Sequence, residues 1–147
     1  MSQKPICLVT GAAGFIAHNL IKRLLFSGWK VIGLDNFLLG SKENILELSQ
    51  YPEFFFYDVD LSLDNVLEKL LQDVEDVLGV SDIWHLCANS DIKAGSASPN
   101  VDFKHTFSTT FNILGVAKAV SCKNFYFASS SAIYGDHGEH PSVSYTH

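Results

Sequence analysis

Thr10-Gly11-Ala12-Ala13-Gly14-Phe15-Ile16-Ala17 lies where the hydrophobic period of the chain changes. Ahead of it, Ile6-Cys7-Leu8-Val9 is a short apolar run closed by Gly11, the pattern of a buried strand. Behind it, Ile16, Leu20 and Leu24, with Ile21 and Leu25, fall on one helical stripe that Gly28 can stop. Small residues at 11, 14 and 17 make the strand-to-helix turn tight and let a ligand approach bare backbone. The N–H groups and dipole at the start of the helix then favour a pyrophosphate. Such a glycine set is weak evidence alone. After a first strand and opening a first helix, it is strong.

The next strand, Val31-Ile32-Gly33-Leu34, ends in Asp35, 24 residues after Gly11. A carboxylate there can accept hydrogen bonds from both hydroxyls of a cofactor ribose and would repel a 2′-phosphate, so NAD is expected rather than NADP. The competing reading is that Gly11 and Gly14 serve only a tight turn and Asp35 only caps a strand. The context at both ends favours the dinucleotide.

Working outward, residues 42–49 read as a short helix, and Phe54-Phe55-Phe56-Tyr57 as a third strand running into Asp58. Ser62 is a candidate N-cap for a helix carrying Val66, Leu67, Leu70, Leu71, Val74 and Leu78, with Gly79 as its stop. Ile83-Trp84-His85-Leu86-Cys87 is a fourth strand. Ser98-Pro99 opens a further helix whose expected inner face is Phe103, Phe107, Phe111, Leu114 and Ala117. Phe125-Tyr126-Phe127-Ala128 is a fifth strand reaching Ser129-Ser130-Ser131. Strands alternating with helices predict an α/β, doubly wound, mostly parallel sheet of the Rossmann type, about five strands in the order 3-2-1-4-5. After Tyr134 the periodicity gives way to loop chemistry, so the sheet is expected to be incomplete at its C-terminal edge. An uncovered edge and apolar helix faces predict self-association.

The 147 residues suit one domain, 1–147, and 47% hydrophobic with 18% charged residues excludes a disordered chain. The formal charge is −6 and no Lys/Arg block occurs, which argues against nucleic acid or an anionic membrane as partner. Cys7, Cys87 and Cys122 lie far apart in apolar stretches, without a Cys-x-x-Cys pair, which points to a reducing, cytoplasmic setting. Ile6 to Val9 is too short for the core of a signal peptide, and no run approaches the ~20 apolar residues of a membrane span. Asp136-His137-Gly138-Glu139-His140 has a His-x-x-His spacing, but no helix signal aligns the rings and no third ligand is evident. It reads as a surface loop, and no metal is expected.

The glycine turn, Asp35-Asn36-Phe37-x-x-Gly40-Ser41-Lys42-x-Asn44, Asp58-Val59-Asp60, His85-Leu86-Cys87-Ala88 and Ser129-Ser130-Ser131-Ala132-Ile133-Tyr134-Gly135-Asp136 occur in one order along the chain. In these blocks the sequence resembles the extended short-chain dehydrogenase/reductase family, specifically the NAD-dependent sugar epimerases and dehydratases such as UDP-glucose 4-epimerase. The resemblance implies that Gly11, Gly14, Phe15 and Ile16 line the pyrophosphate, with Ala17 in a slot usually held by Gly. It implies that Asp35 and Asn36 hold the adenosine ribose and that Asp58 and Val59 meet the adenine, although Asp58 also suits a helix-capping turn. Cys87, Ala88 and Asn89 would pack beneath the ribose and nicotinamide, while His85 reads as a satisfied interior histidine. Where the family commonly has Asn-x-x-Gly-Thr, this chain has Thr106-Phe107-Ser108-Thr109-Thr110.

Four residues before Tyr134, Ser130 matches the family's hydroxyl that polarises the sugar; read without the resemblance, it is a polar strand terminus. The family's general base is a Tyr in Tyr-x-x-x-Lys, in which the Lys lowers the phenol pKa. No Tyr in this sequence has a Lys four residues later. Two functions follow as expectations. One is the N-terminal NAD-binding portion of a nucleotide-sugar epimerase or dehydratase, inactive by itself and lacking the substrate-binding part. The other is a non-catalytic NAD-binding or sensing module.

Overall fold

A computed structural model describes residues 4–130. The strands are β1 (Ile6–Thr10), β2 (Lys30–Asp35), β3 (Phe54–Asp58), β4 (Val80–His85) and β5 (Asn124–Phe127). They form one sheet in the order β3-β2-β1-β4-β5, and every neighbouring pair is parallel. All five residues of the central strand β1 are buried, as a strand covered on both faces requires.

Side chains alternate across the sheet and feed two cores. On one face Ile6, Leu8, Ile32, Leu34 and Ile83 pack with Val66 and Leu70 of α3 (Val66–Asp73) and with Ile113 and Val116 of a later helix. On the other, Cys7, Val9 and Val31 pack with Ala17, Ile21 and Leu24 of α1 (Phe15–Phe26) and with Ile45 and Leu48 of α2 (Lys42–Leu48). Gly28, at φ +87°, returns the chain from α1 into β2 as its left-handed stop. Beyond β4 come α4 (Ile92–Ala97) and α5 (Pro99–Asp102), a π-helical segment Phe103–Ser108, and α6 (Thr109–Ala119).

The structure departs from four expectations. Ser62 does not cap the third helix: its N–H and hydroxyl both bond Asp60 Oδ1, at 2.9 and 2.6 Å, and α3 starts only at Val66 after Asn65. That helix also stops earlier, because Asp76 takes φ +59° and Val77–Gly79 form a separate 3-10 turn that leaves Leu78 exposed. Ile16 turns away from the core, where Ala17 and Ile21 take its place.

The phenylalanines are the fourth. Phe103, Phe107, Phe111 and Leu114 are 60%, 59%, 67% and 49% exposed, while Thr109, Ile113, Val116 and Ala117 face the sheet. Two apolar stripes run along this stretch of helix, and the one carrying Ile113, Val116 and Ala117 meets the sheet.

Candidate functional site

The site begins at the bend after β1. Gly11 adopts φ +71°, and a Cβ on it would lie 3.2 Å from the backbone of Leu86 and Cys87. Only glycine relieves both constraints. Gly14 precedes α1 as its N-cap without a side-chain cap, and its own Cβ would stand 3.1 Å from Gly11 O. The first turn of α1 carries no acidic residue, so its N-terminal N–H groups and dipole meet no anion from the protein's own first turn. Phe15 and Ile16, 80% and 70% exposed, stand at the lip.

Asp35, at the end of β2, faces this bend. Its Oδ2 accepts the Ala13 N–H at 3.1 Å and its Oδ1 accepts the Phe37 N–H at 2.7 Å. Each carboxylate oxygen has a second lone pair, so the group retains acceptor capacity toward a hydroxyl ligand. Phe37, at φ +58°, turns the chain so that Gly40 packs over Ala13, and Ser41 N–H and Asn44 Nδ2 both bond Ala13 O. The loop after β2 is thereby clamped onto the glycine bend.

Two further strand ends complete the walls. Val59 is buried just past β3, and beyond it Asp60 accepts from Ser62. Burial pulls the Asp60 carboxyl up, but the hydrogen bonds from Ser62, helped by Lys104 and His105, outweigh it and leave the group below the usual carboxylate range. Past β4, the N–H groups of Leu86 and Cys87 both donate to Thr10 Oγ1 at 3.1 Å. Burial, reinforced by Asp35 and Asp60, pushes the Cys87 thiol up to about 12, so it is a neutral wall of the site at physiological pH.

These parts enclose a cleft of about 440 Å³, in the size range of small-molecule sites. It opens at the carboxyl ends of the strands, where β1 sits between β2 and β4 and the chain switches direction across the sheet. Gly11, Gly14, Phe15, Ile16, Asp35, Asn36, Val59, Cys87 and Ala88 all line it. Asp58 is exposed at the end of β3, across the strand pair from Asp35, and outside the lining. Asn89 is also outside it: its Nδ2 donates to Asp91 O and Asp102 Oδ1, and its Oδ1 accepts Asp91 N–H. Ser130, three residues past β5, is exposed and not part of the lining, whereas Ala128 is. Ser131, Tyr134, the His137/His140 loop and Tyr145 lie outside the described residues.

The lining also contains residues that sequence reading did not assign: Asp60, Leu38, Leu39, Gly40 and Thr109. Asp60, Gly40 and Thr109 carried a signal, since the first two stand in the quoted blocks and Thr109 in the segment set against Asn-x-x-Gly-Thr; Leu38 and Leu39 carried none. Among the described residues no group of three or more His, Cys, Asp or Glu side chains could hold a metal, and the described cysteines are free thiols.

Known proteins resemble this chain in sequence and fold. Among curated relatives, UDP-glucuronic acid decarboxylase 1 of Arabidopsis thaliana is 36% identical over 134 residues, 91% of this chain and 28% of that protein. UDP-glucuronic acid decarboxylase 1 of Danio rerio is 31% identical over 134 residues, 91% of this chain and 29% of that protein. Among solved structures, the UDP-glucose 4-epimerase of Thermus thermophilus in complex with NAD superposes at a TM-score of 0.80. It is 28% identical, and the match covers 95% of this chain and 42% of that one. The chain therefore spans under a third of the length of the curated relatives it matches. The sequence family described as NAD dependent epimerase/dehydratase matches residues 7–147. A match that opens in the first strand and takes in the glycine bend, Asp35 and every later block makes the chain a member of that NAD-dependent family.

Proposed function

We propose that the chain is the N-terminal NAD-binding portion of a nucleotide-sugar epimerase or dehydratase, one domain spanning 1–147 whose substrate-binding part lies elsewhere. The observation that carries this reading is the position of Asp35: its carboxylate sits against the glycine bend at the mouth of the cleft, bonded to Ala13 N–H. The residues fit the cofactor on their own terms. Gly11 and Gly14 keep side-chain atoms out of the bend, and the start of α1 offers N–H donors to a pyrophosphate. In this reading Phe15 and Ile16 flank the pyrophosphate, and Asp35 and Asn36 hold the adenosine ribose. Val59 and Asp58 stand toward the adenine, and Cys87, Ala88 and Asn89 lie toward the nicotinamide ribose.

Bound NAD supplies a hydride acceptor for a sugar carbon. The decarboxylase relatives are named for UDP-glucuronic acid and the Thermus thermophilus structure for UDP-glucose, which supports a UDP-sugar as the substrate of the whole enzyme. Ser130 is assigned to the sugar's reacting oxygen. With no Tyr-x-x-x-Lys in the 147 residues, the chain alone is expected to bind cofactor without turning over a sugar nucleotide. Free thiols at Cys7, Cys87 and Cys122 support a reducing, cytoplasmic compartment, and no described helix is long and apolar enough to cross a membrane.

Titration calorimetry of the purified chain with NAD and with NADP tests the reading. NAD is expected to bind, and NADP at least about tenfold more weakly, because a 2′-phosphate would face the Asp35 carboxylate. Equal affinity for the two, or heat from neither, overturns it.

A further inference from the structure

We infer that His85 is a positioning residue: its ring fixes the direction of the Thr10 hydroxyl and so holds the loop Leu86–Asn89 against the glycine bend. Protons and lone pairs along a buried chain of contacts allow only one arrangement. Thr10 Oγ1 accepts two backbone N–H groups, from Leu86 and Cys87, each at 3.1 Å. With both lone pairs engaged, the hydroxyl can only donate. Its third neighbour is His85 Nδ1 at 2.8 Å, which must therefore be the acceptor. The ring proton then sits on Nε2, which donates to Thr110 Oγ1 at 3.0 Å, and the Thr110 hydroxyl passes its own proton to Thr106 O at 2.7 Å. One tautomer satisfies every group, and it is the neutral Nε2–H form.

The far end of the same loop is tied to the same helix. Asn89 N–H donates to Thr106 Oγ1 at 3.0 Å. Two threonines thus grip the loop, one at Leu86 and Cys87 and one at Asn89, and His85 joins their supports across the sheet. Gly11 leaves only 3.2 Å between a would-be Cβ and the Leu86–Cys87 backbone, so any lift of this loop changes the wall facing the bend. An imidazolium, a donor at both nitrogens, would compete with the Leu86 and Cys87 amides for the Thr10 lone pairs. The ring is 1% exposed, lies 5.9 Å from the Phe127 ring and 6.1 Å from the Phe125 ring, and stays neutral, with burial lowering its pKa to about 4.

The effect on cofactor affinity rests on the dinucleotide reading; the hydrogen-bond assignment does not. Nitrogen-15 NMR of the wild-type ring is expected to show Nε2 protonated and Nδ1 bare at pH 7, and the opposite tautomer overturns the inference. In His85→Phe, amide exchange at Leu86 and Cys87 is expected to rise about tenfold and NAD affinity to fall by a similar factor. His85→Gln, which offers a carbonyl and an N–H in place of the two ring nitrogens, is expected to restore both to within about threefold of wild type. Unchanged exchange in His85→Phe, or no rescue by His85→Gln, overturns the inference. Should His85→Phe not fold, Thr110→Val, which removes the Nε2 partner but leaves Thr10 donating to Nδ1, is expected to keep the Nε2–H tautomer, and a switch to Nδ1–H overturns the inference. If wild-type protein binds no NAD, the proposed function fails while the tautomer and exchange measurements still decide this one.

Discussion

Asp35 has a structural task that precedes any ligand: each of its oxygens receives a backbone N–H, one from the glycine bend and one from the loop after β2. An amide cannot copy this, because Asn has a single acceptor oxygen and turns an NH2 toward the other donor. Asp35→Asn is therefore expected to lower stability by about 1–2 kcal/mol, the cost of one half-buried N–H left without its acceptor. Urea unfolding of the two proteins measures that difference. The same change removes the negative charge, so NAD affinity is expected to fall while the preference over NADP narrows toward unity. A variant as stable as wild type would show that the bend does not depend on the carboxylate. A preserved NAD preference would remove Asp35 from cofactor selection.

At the scale of elements, β4 carries a pH signature. Burial holds the His85 pKa at about 4, below its ordinary 6.5, so between these values the unfolded chain takes up a proton that the folded one refuses. Stability is thus expected to fall as pH drops through that window, and this contribution levels off below about 4. Between pH 6.5 and 4.5 wild type should lose about 2 kcal/mol more than His85→Gln, read as the difference in unfolding free energy at the two pH values. Parallel losses in the two proteins would assign the acid sensitivity to other groups. Nothing local in the sequence announces this network, because Thr10, His85 and Thr110 are brought together only by the β1–β4 pairing and the helix that packs over it. What was legible had local punctuation. Ile6–Val9 ends at Gly11, the second strand runs into Asp35, and Pro99 opens its helix, so all five strands and their order could be read. The Phe103–Leu114 stripe reads as core because two apolar faces share that helix, and spacing alone does not say which one meets the sheet. Asp60 was not assigned because the resemblance places Asp58 and Val59 at the adenine, whereas β3 stops at Asp58 with that carboxylate exposed and Asp60 lines the cleft.

At the scale of the molecule, that misread stripe has a consequence for how copies of the chain meet. Phe103 and Phe107 stack at 5.4 Å between ring centroids, Phe107 and Phe111 at 6.4 Å, and Leu114 continues the row, all without cover among the described residues. Phe127 of β5 adds to it, facing a groove it shares with Phe103, Phe107 and Thr110. Each ring buried at a contact would contribute about 1.5–3 kcal/mol, so a row of four side chains can outweigh the entropic cost of pairing even over a modest area. Within the described sheet β5 pairs only with β4, leaving its outer edge a second place for contact. We expect the purified chain to self-associate, with sedimentation velocity showing species larger than the monomer that persist in high salt, because apolar contact is not screened. Phe107→Lys, at an exposed position, should leave folding intact and shift the distribution to monomer. Association that survives this substitution would move the contact to the β5 edge, and a clean monomer for wild type at high concentration would refute self-association by either surface.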